Sequence, residues 1–241
     1  MDAGVFTGSR GAWCDMKLRR LTERVWYLPH ERERDRPALG YVCGDRWSLA
    51  VDAGHSDAHV ETFYQALREE GLPLPSLTVI THWHWDHAFG MHAVGGLTVA
   101  NARTAEHLHE AQELLTREGR EAFLSLDERV RIEYADDRPM VVSLPDVVFD
   151  GELLLDVGGC SVHAFQVDSP HTDDSTLVHV LGEDVLFYGD AKSGVFPSWK
   201  KDSNLCRRLA DAVEETGAEV CLGGHWEPMS GRELVFSLRM A

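Results

Sequence analysis

A mixed α/β (α+β) fold, with two packed β-sheets covered on their outer faces by helices, is predicted by three observations. Apolar β-type runs fall into two groups along the chain, each group is followed by an amphipathic helix, and the order strand, Asp, helix, strand, His occurs twice. The first group reads as strands over Arg24 to Leu28, Gly40 to Cys43, Ser48 to Val51, Leu77 to Ile80 and Leu97 to Ala100. The second reads as Val147 to Leu155, Ser161 to Val167, Thr176 to Leu181, Asp184 to Tyr188 and Glu219 to Leu222.

The helices rest on spacing. Val60, Phe63, Tyr64 and Leu67 recur at helical intervals over about 57–70, with Ser56 or Asp57 available as N-cap and Gly71 just past the end. Leu205, Leu209, Ala212 and Val213 repeat that stripe over about 203–216, with Ser203 as cap and Gly217 as stop. One apolar face on each helix means that each covers a sheet. A mostly polar segment at about 102–135 reads as a helical insertion, with helices from Thr104 to about Leu115 and from Glu118 to Arg131, suited to walling a pocket or decorating the surface.

The repeated order has a consequence for function. Val51-Asp52-Ala53-Gly54 closes one strand, and the strand after the next helix delivers His82; Phe187-Tyr188-Gly189-Asp190 closes another, and the strand after its helix delivers His225. The offsets are similar, 190 − 52 = 138 and 225 − 82 = 143, as expected of two related halves that meet at a shared edge.

Composition sets the outer limits. A chain of 241 residues, 44% hydrophobic and 26% charged, suffices for one compact domain over 16–241. Residues 1–15 are rich in Gly and polar side chains and are expected to be a poorly ordered extension. The net charge of −17, with no Lys/Arg stripe, disfavours nucleic acid as a partner and favours a small-molecule substrate. No signal peptide opens the chain and no run of about 18 apolar residues occurs, so a soluble cytoplasmic protein without a membrane partner is expected. Five cysteines (14, 43, 160, 206 and 221) with no Cys-x-x-Cys pair fit a reducing compartment. Oligomeric state is left open.

The densest chemistry lies in Thr81-His82-Trp83-His84-Trp85-Asp86-His87, directly after an apolar strand. Extended backbone turns His82 and His84 to one face, and a turn beyond them brings Asp86 and His87 to a second point, so one short loop can serve two metal ions. His171, Asp190 and His225 each stand where a strand should end.

These residues resemble the metallo-β-lactamase superfamily, whose His-x-His-x-Asp-His motif is followed by a separate His, Asp and His. The resemblance spans roughly residues 21 to 230 and implies a four-layer αββα sandwich. It assigns the first metal to His82, His84 and His171, the second to Asp86, His87 and His225, and the bridging carboxylate to Asp190. Phe89-Gly90 stands where the family usually has Gly-Gly, and Pro170 and Asp173-Asp174 depart from its pattern around the lone His. Five His and two Asp accept Zn²⁺, Fe or Mn on softness grounds; two Zn²⁺ per chain is the first expectation, Fe or Mn the alternatives.

The implied activity is metal-dependent hydrolysis of a small ester, lactone, thioester or phosphoester by a metal-bridging hydroxide, because a bound metal lowers the pKa of water from 15.7 to about 7. Asp86 is the candidate for orienting that nucleophile or relaying its proton. Tyr188, two residues before Asp190, is the candidate hydrogen-bond donor to an oxyanion. Asp52 is a candidate partner orienting a ligating His. Lys192 for a substrate carboxylate, Asp173 for a substrate cation and His30 in the polar loop from Pro29 to Pro37 are weaker substrate contacts. The alternatives are an iron-dependent persulfide dioxygenase of the same fold, or a non-catalytic metal-binding protein. Antibiotic cleavage is disfavoured by Asp190, and a glyoxalase II-type activity by the short tail beyond His225.

Overall fold

A computed structural model describes residues 16–241. The expected disorder of residues 1–15, and Cys14, lie outside the described residues. The chain begins with β1 (Arg19–Arg20), β2 (Val25–Leu28), β3 (Leu39–Cys43), β4 (Ser48–Val51), α1 (Asp57–Glu69), β5 (Leu77–Val79), α2 (Trp85–Ala88) and β6 (Leu97–Asn101). The insertion follows as α3 (Ala102–Glu118), α4 (Glu121–Leu124) and α5 (Glu128–Glu133). The remainder is β7 (Val147–Phe149), β8 (Glu152–Asp156), β9 (Ser161–Gln166), β10 (Thr176–Leu181), β11 (Val185–Gly189), α6 (Ser203–Thr216), β12 (Val220–Gly223), β13 (Met229–Ser230) and α7 (Gly231–Arg239).

Two sheets result, one of seven strands in the order β1 to β7 and one of six in the order β13-β12-β11-β10-β9-β8. Their facing sides bury Val25, Val42, Leu49, Val51, Val79 and Val99 against Val162, Val178, Val180, Val185, Phe187 and Leu222. Each such side chain contributes about 1.5–3 kcal/mol relative to exposure, so this seam is a main source of cohesion. The outer face of the first sheet is covered by α1 through Val60, Phe63, Tyr64 and Leu67 packed on Leu39, Tyr41 and Ala50. The insertion adds Leu108, Phe123, Leu124 and Val130 beside Ile80, Phe89 and Ala100. Leu209, Ala210, Val213, Leu234 and Leu238 of α6 and α7 cover Leu177, Leu186 and Cys221 of the second sheet. The layering is αββα.

The repeated units are present as parallel pairs. β4 and β5 flank α1, β11 and β12 flank α6, and both pairs run parallel. Ser56 caps α1, its side chain accepting from the His59 amide. The cap of α6 is Asp202 rather than Ser203: its Oδ1 accepts from the amides of Asn204 and Leu205. The single strand expected over Val147 to Leu155 is two strands in different sheets. Gly151, at φ 70°, turns the chain between β7, parallel to β6, and β8, antiparallel to β9. The insertion begins where expected, but its first helix starts at Ala102, two residues before Thr104, because Asn101 accepts from the Thr104 amide at 3.0 Å, and its second half breaks into α4 and α5.

Candidate metal centre

The site forms where strand ends of both sheets meet. After β5 the chain bends at Thr81 and leads to His84, which is the N-cap of α2, and the single turn of α2 carries Asp86 and His87. Asp174 steadies this loop from the second sheet: its Oδ2 accepts from the Trp83 amide at 2.9 Å and from the Thr104 hydroxyl at 2.8 Å. His171 follows β9, Asp190 follows β11 and His225 follows β12.

All seven expected ligands converge. His82, His84 and His171 offer ligand atoms within 4.8 Å of one another, as do Asp86, His87 and His225, and Asp190 joins His82 and His87 in the same way. His171 Nε2 lies 3.0 Å from His84 Nδ1, and His225 Nε2 lies 3.0 Å from Asp86 Oδ2. Asp190 stands between the halves, Oδ1 at 3.6 Å from His87 Nε2 and Oδ2 at 3.5 Å from His225 Nε2. His82 Nε2, His87 Nε2 and Asp190 Oδ1 are buried with no hydrogen-bond partner. Orphaned polar atoms of this kind are costly unless something binds them, and imidazole nitrogens with carboxylates suit divalent cations. The donor set fits a metal.

The electrostatics agree. Burial, reinforced by neighbouring imidazoles, holds His82 and His84 well below the ordinary histidine range, which leaves them neutral and ready to coordinate. Burial also disfavours charge on His87 and His225, yet nearby carboxylates win. Asp86 and Asp52 push His87 up to about 10, and Asp190 and Asp86 push His225 up to about 9. Burial would raise the Asp86 carboxyl, but these two rings hold it below the usual carboxylate range. Asp52 acts as the expected orienting partner: its Oδ2 lies 2.7 Å from His87 Nδ1, and its Oδ1 accepts from the Thr81 amide at 2.7 Å. Zinc uptake by the metal-free protein at pH 7 should therefore release about two protons, from His87 and His225, with apparent affinity rising between pH 7 and 9. Calorimetry in buffers of different ionisation enthalpy measures this; an uptake that releases none would contradict it.

The centre opens into a cleft of about 450 Å³. Trp85, Phe196, Trp199 and Trp226 line it, as do His30, Arg32, Asp35, Asp127 and Arg129. Asp127 and Arg129 come from the insertion, which therefore contributes a wall. Trp85 is 4% exposed and packs edge-on against Phe196, so it serves core and cleft together.

Three of the expected substrate or catalytic contacts lie elsewhere. Tyr188 is buried beside Cys221 of the second sheet and Leu209 of the helix that covers it, stacked on Trp226, with its hydroxyl unpartnered and outside the cleft lining. A register shift at Gly189, which has φ 49°, resets the alternation, so 188 and 190 do not share a face. Lys192 sits with Nζ 4.2 Å above the Trp226 ring and does not line the cleft. Asp173 is taken up by His107, 2.8 Å from its Oδ1, and by Arg103, which donates to its carbonyl. His30 does line the cleft. Sequence reasoning missed Asp35, Arg129, Phe196 and the siting of Trp226; only Trp226, next to His225, carried a signal.

An αββα sandwich with His and Asp clusters at the ends of both sheets defines a metal-site protein. A sequence profile of the metallo-beta-lactamase superfamily matches residues 44–225, and the chain belongs to that superfamily. It is 26% identical over 226 residues to the acyl-coenzyme A thioesterase MBLAC2 of Gallus gallus, with 85% of this chain and 77% of that protein covered. Among solved structures it is similar to a metallo-beta-lactamase from Pontibacter korlensis, at TM-score 0.66 and 17% identity over 93% of this chain and 97% of that one. It is similar also to a variant of the sec-alkyl sulfatase PisA1, at TM-score 0.68 and 14% identity over 92% of this chain and 40% of that one. At such identities these two structures speak to the fold alone.

Proposed function

We propose that this protein is a metal-dependent hydrolase of small acyl substrates, thioesters first among them. The observation that carries the reading is the convergence of His82, His84, His171, Asp86, His87, His225 and Asp190 at the floor of a cleft. The thioester preference is supported by the relationship to an acyl-coenzyme A thioesterase. The first three histidines would hold one divalent cation, Asp86, His87 and His225 a second, and Asp190 both. A bound cation supplies Lewis acidity and a water that ionises near neutral pH.

The chain's own residues do the rest. Asp86 lines the cleft, and its ionised carboxylate can accept a hydrogen bond from the attacking water and orient it, the water's proton leaving with the departing thiol. Trp85, Phe196 and Trp199, in ring contact with one another, offer an apolar wall for the acyl chain and exclude water beside it. Arg32, exposed at the same cleft, suits an anionic group on the thiol half.

Purification without added metal, with Zn, Fe and Mn measured per chain, tests this alongside assays of acyl thioesters, lactones, phosphodiesters and persulfide oxidation. Zinc with thioester hydrolysis is expected. Burial at about 0.8 kcal/mol per methylene predicts kcat/KM rising about fourfold per added carbon until the aromatic wall is filled. One iron per chain with oxygen consumption on persulfide would replace hydrolysis by the dioxygenase reading.

A further inference from the structure

We propose that Asp35 is the positioning residue for His225, and that Arg129 of the insertion holds Asp35 in place, so that loading of the second metal is governed from the insertion. The inference rests on the metal centre of the proposed function but not on the bond that is cut.

A metal-binding imidazole uses one ring nitrogen for the ion, and the group met by the other fixes its orientation. His82 has Nδ1 3.2 Å from the Thr81 hydroxyl, His87 has Nδ1 2.7 Å from Asp52, and His171 has Nδ1 2.9 Å from the Gly194 carbonyl. In His225 it is Nε2 that faces Asp86 and Asp190. Its Nδ1 lies 4.0 Å from Asp35 Oδ1, about 1 Å beyond a hydrogen bond. His225 is also the most exposed of the seven, its side chain 21% exposed, so it most needs such a partner.

Asp35 is placed by unusual means. It ends a short 3-10 turn over Arg32–Arg34 in the left-handed region, at φ 54° and ψ 32°, which Asp tolerates better than most residues. Arg129 donates to its Oδ1 at 2.6 Å, and the same guanidinium is braced by both carboxylate oxygens of Asp127. One turn on, Glu133 receives Arg36 through two bonds of 2.9 Å and also bonds Ser56. The loop between β2 and β3 is thus riveted to α5, and its carboxylate is delivered to the rim of the second metal position. A shift of about 1 Å completes the contact.

Zinc titration of stripped protein against a competing chromophoric chelator tests this, with the second binding event identified as the one lost in His225→Ala. Asp35→Ala should weaken that event by about 10–100-fold and leave the first unchanged. Asp35→Asn, which keeps an acceptor oxygen, should weaken it less, and Arg129→Gln should reproduce part of the loss. Circular dichroism of the stripped variants checks folding; should Asp35→Ala not fold, Asp35→Asn and Arg129→Gln decide. A second event of wild-type affinity in these variants, or equal weakening of both events, overturns the proposal. So does a wild-type protein that takes up only one ion, an outcome that leaves hydrolysis itself measurable and distinct.

Discussion

Asp190→Ala is expected to lower metal content and to reduce turnover by about a thousandfold without unfolding the domain. Asp190 is 7% exposed, reaches toward both His87 and His225, and leaves Oδ1 without a hydrogen bond. Its carboxylate is therefore placed to meet a cation that binds among those rings. A metal-bound centre supplies several kcal/mol of transition-state stabilisation; loss of about 4 kcal/mol is three powers of ten in rate. The metal-free variant should still melt cooperatively but somewhat below metal-free wild type, since Asp190 offsets the charge of the protonated His225 and His87. Metal analysis, steady-state kinetics and thermal denaturation check the three parts. Unchanged metal content would take Asp190 out of the centre.

Glu133→Ala is expected to give the largest loss of stability, about 3–5 kcal/mol, because it strips a buried guanidinium of its main partner. The side chains of Glu133 and Arg36 are 0% and 6% exposed, and Arg36 keeps only Glu31, at 3.2 Å. At about 2–4 °C per kcal/mol for a chain of this size, the melting temperature should fall by about 6–20 °C. The effect should depend on pH with a definite sign. Burial alone would raise the Glu133 carboxyl, but hydrogen bonds from Arg36 override it and hold it below its ordinary value. A depressed carboxyl contributes stability above its unfolded pKa, about 4.3, and loses it as pH falls through the folded value. The gap between wild type and variant should thus be full at pH 7 and shrink below about pH 4. Equal melting temperatures at pH 7 would show that the ion pair does not hold α5 to the β2–β3 loop.

Much of the candidate centre was legible because residues of metal-ligating type carry local signals. His82 to His87 show their chemistry by spacing alone, and His171, Asp190 and His225 by standing at strand ends. The two parallel units around α1 and α6 were visible as a repeated order of residues. Tyr188 was misplaced because period-two reasoning assumes an unbroken strand, and nothing short of coordinates reveals the shift at Gly189. Asp150-Gly151 was a readable turn signal inside the apolar run at 147–155, and the capping pair Ser230 and Glu233 announced α7; both were passed over. Asp35 and Arg129 are a different case. They lie 94 residues apart, and in the run Glu31-Arg32-Glu33-Arg34-Asp35-Arg36 no pattern tells which charge faces the cleft. Such pairings are decided by tertiary packing.

The four ligands from 82 to 87 belong to the first sheet's loops, and the other three to the second's. An ion seated among them is a clasp across the sandwich, expelled whenever the two halves part. Each ion present at a hundred times its dissociation constant adds about 2.7 kcal/mol to the cost of that parting. Starvation for the metal would accordingly shorten the lifetime of the folded chain against proteases as well as silence its chemistry.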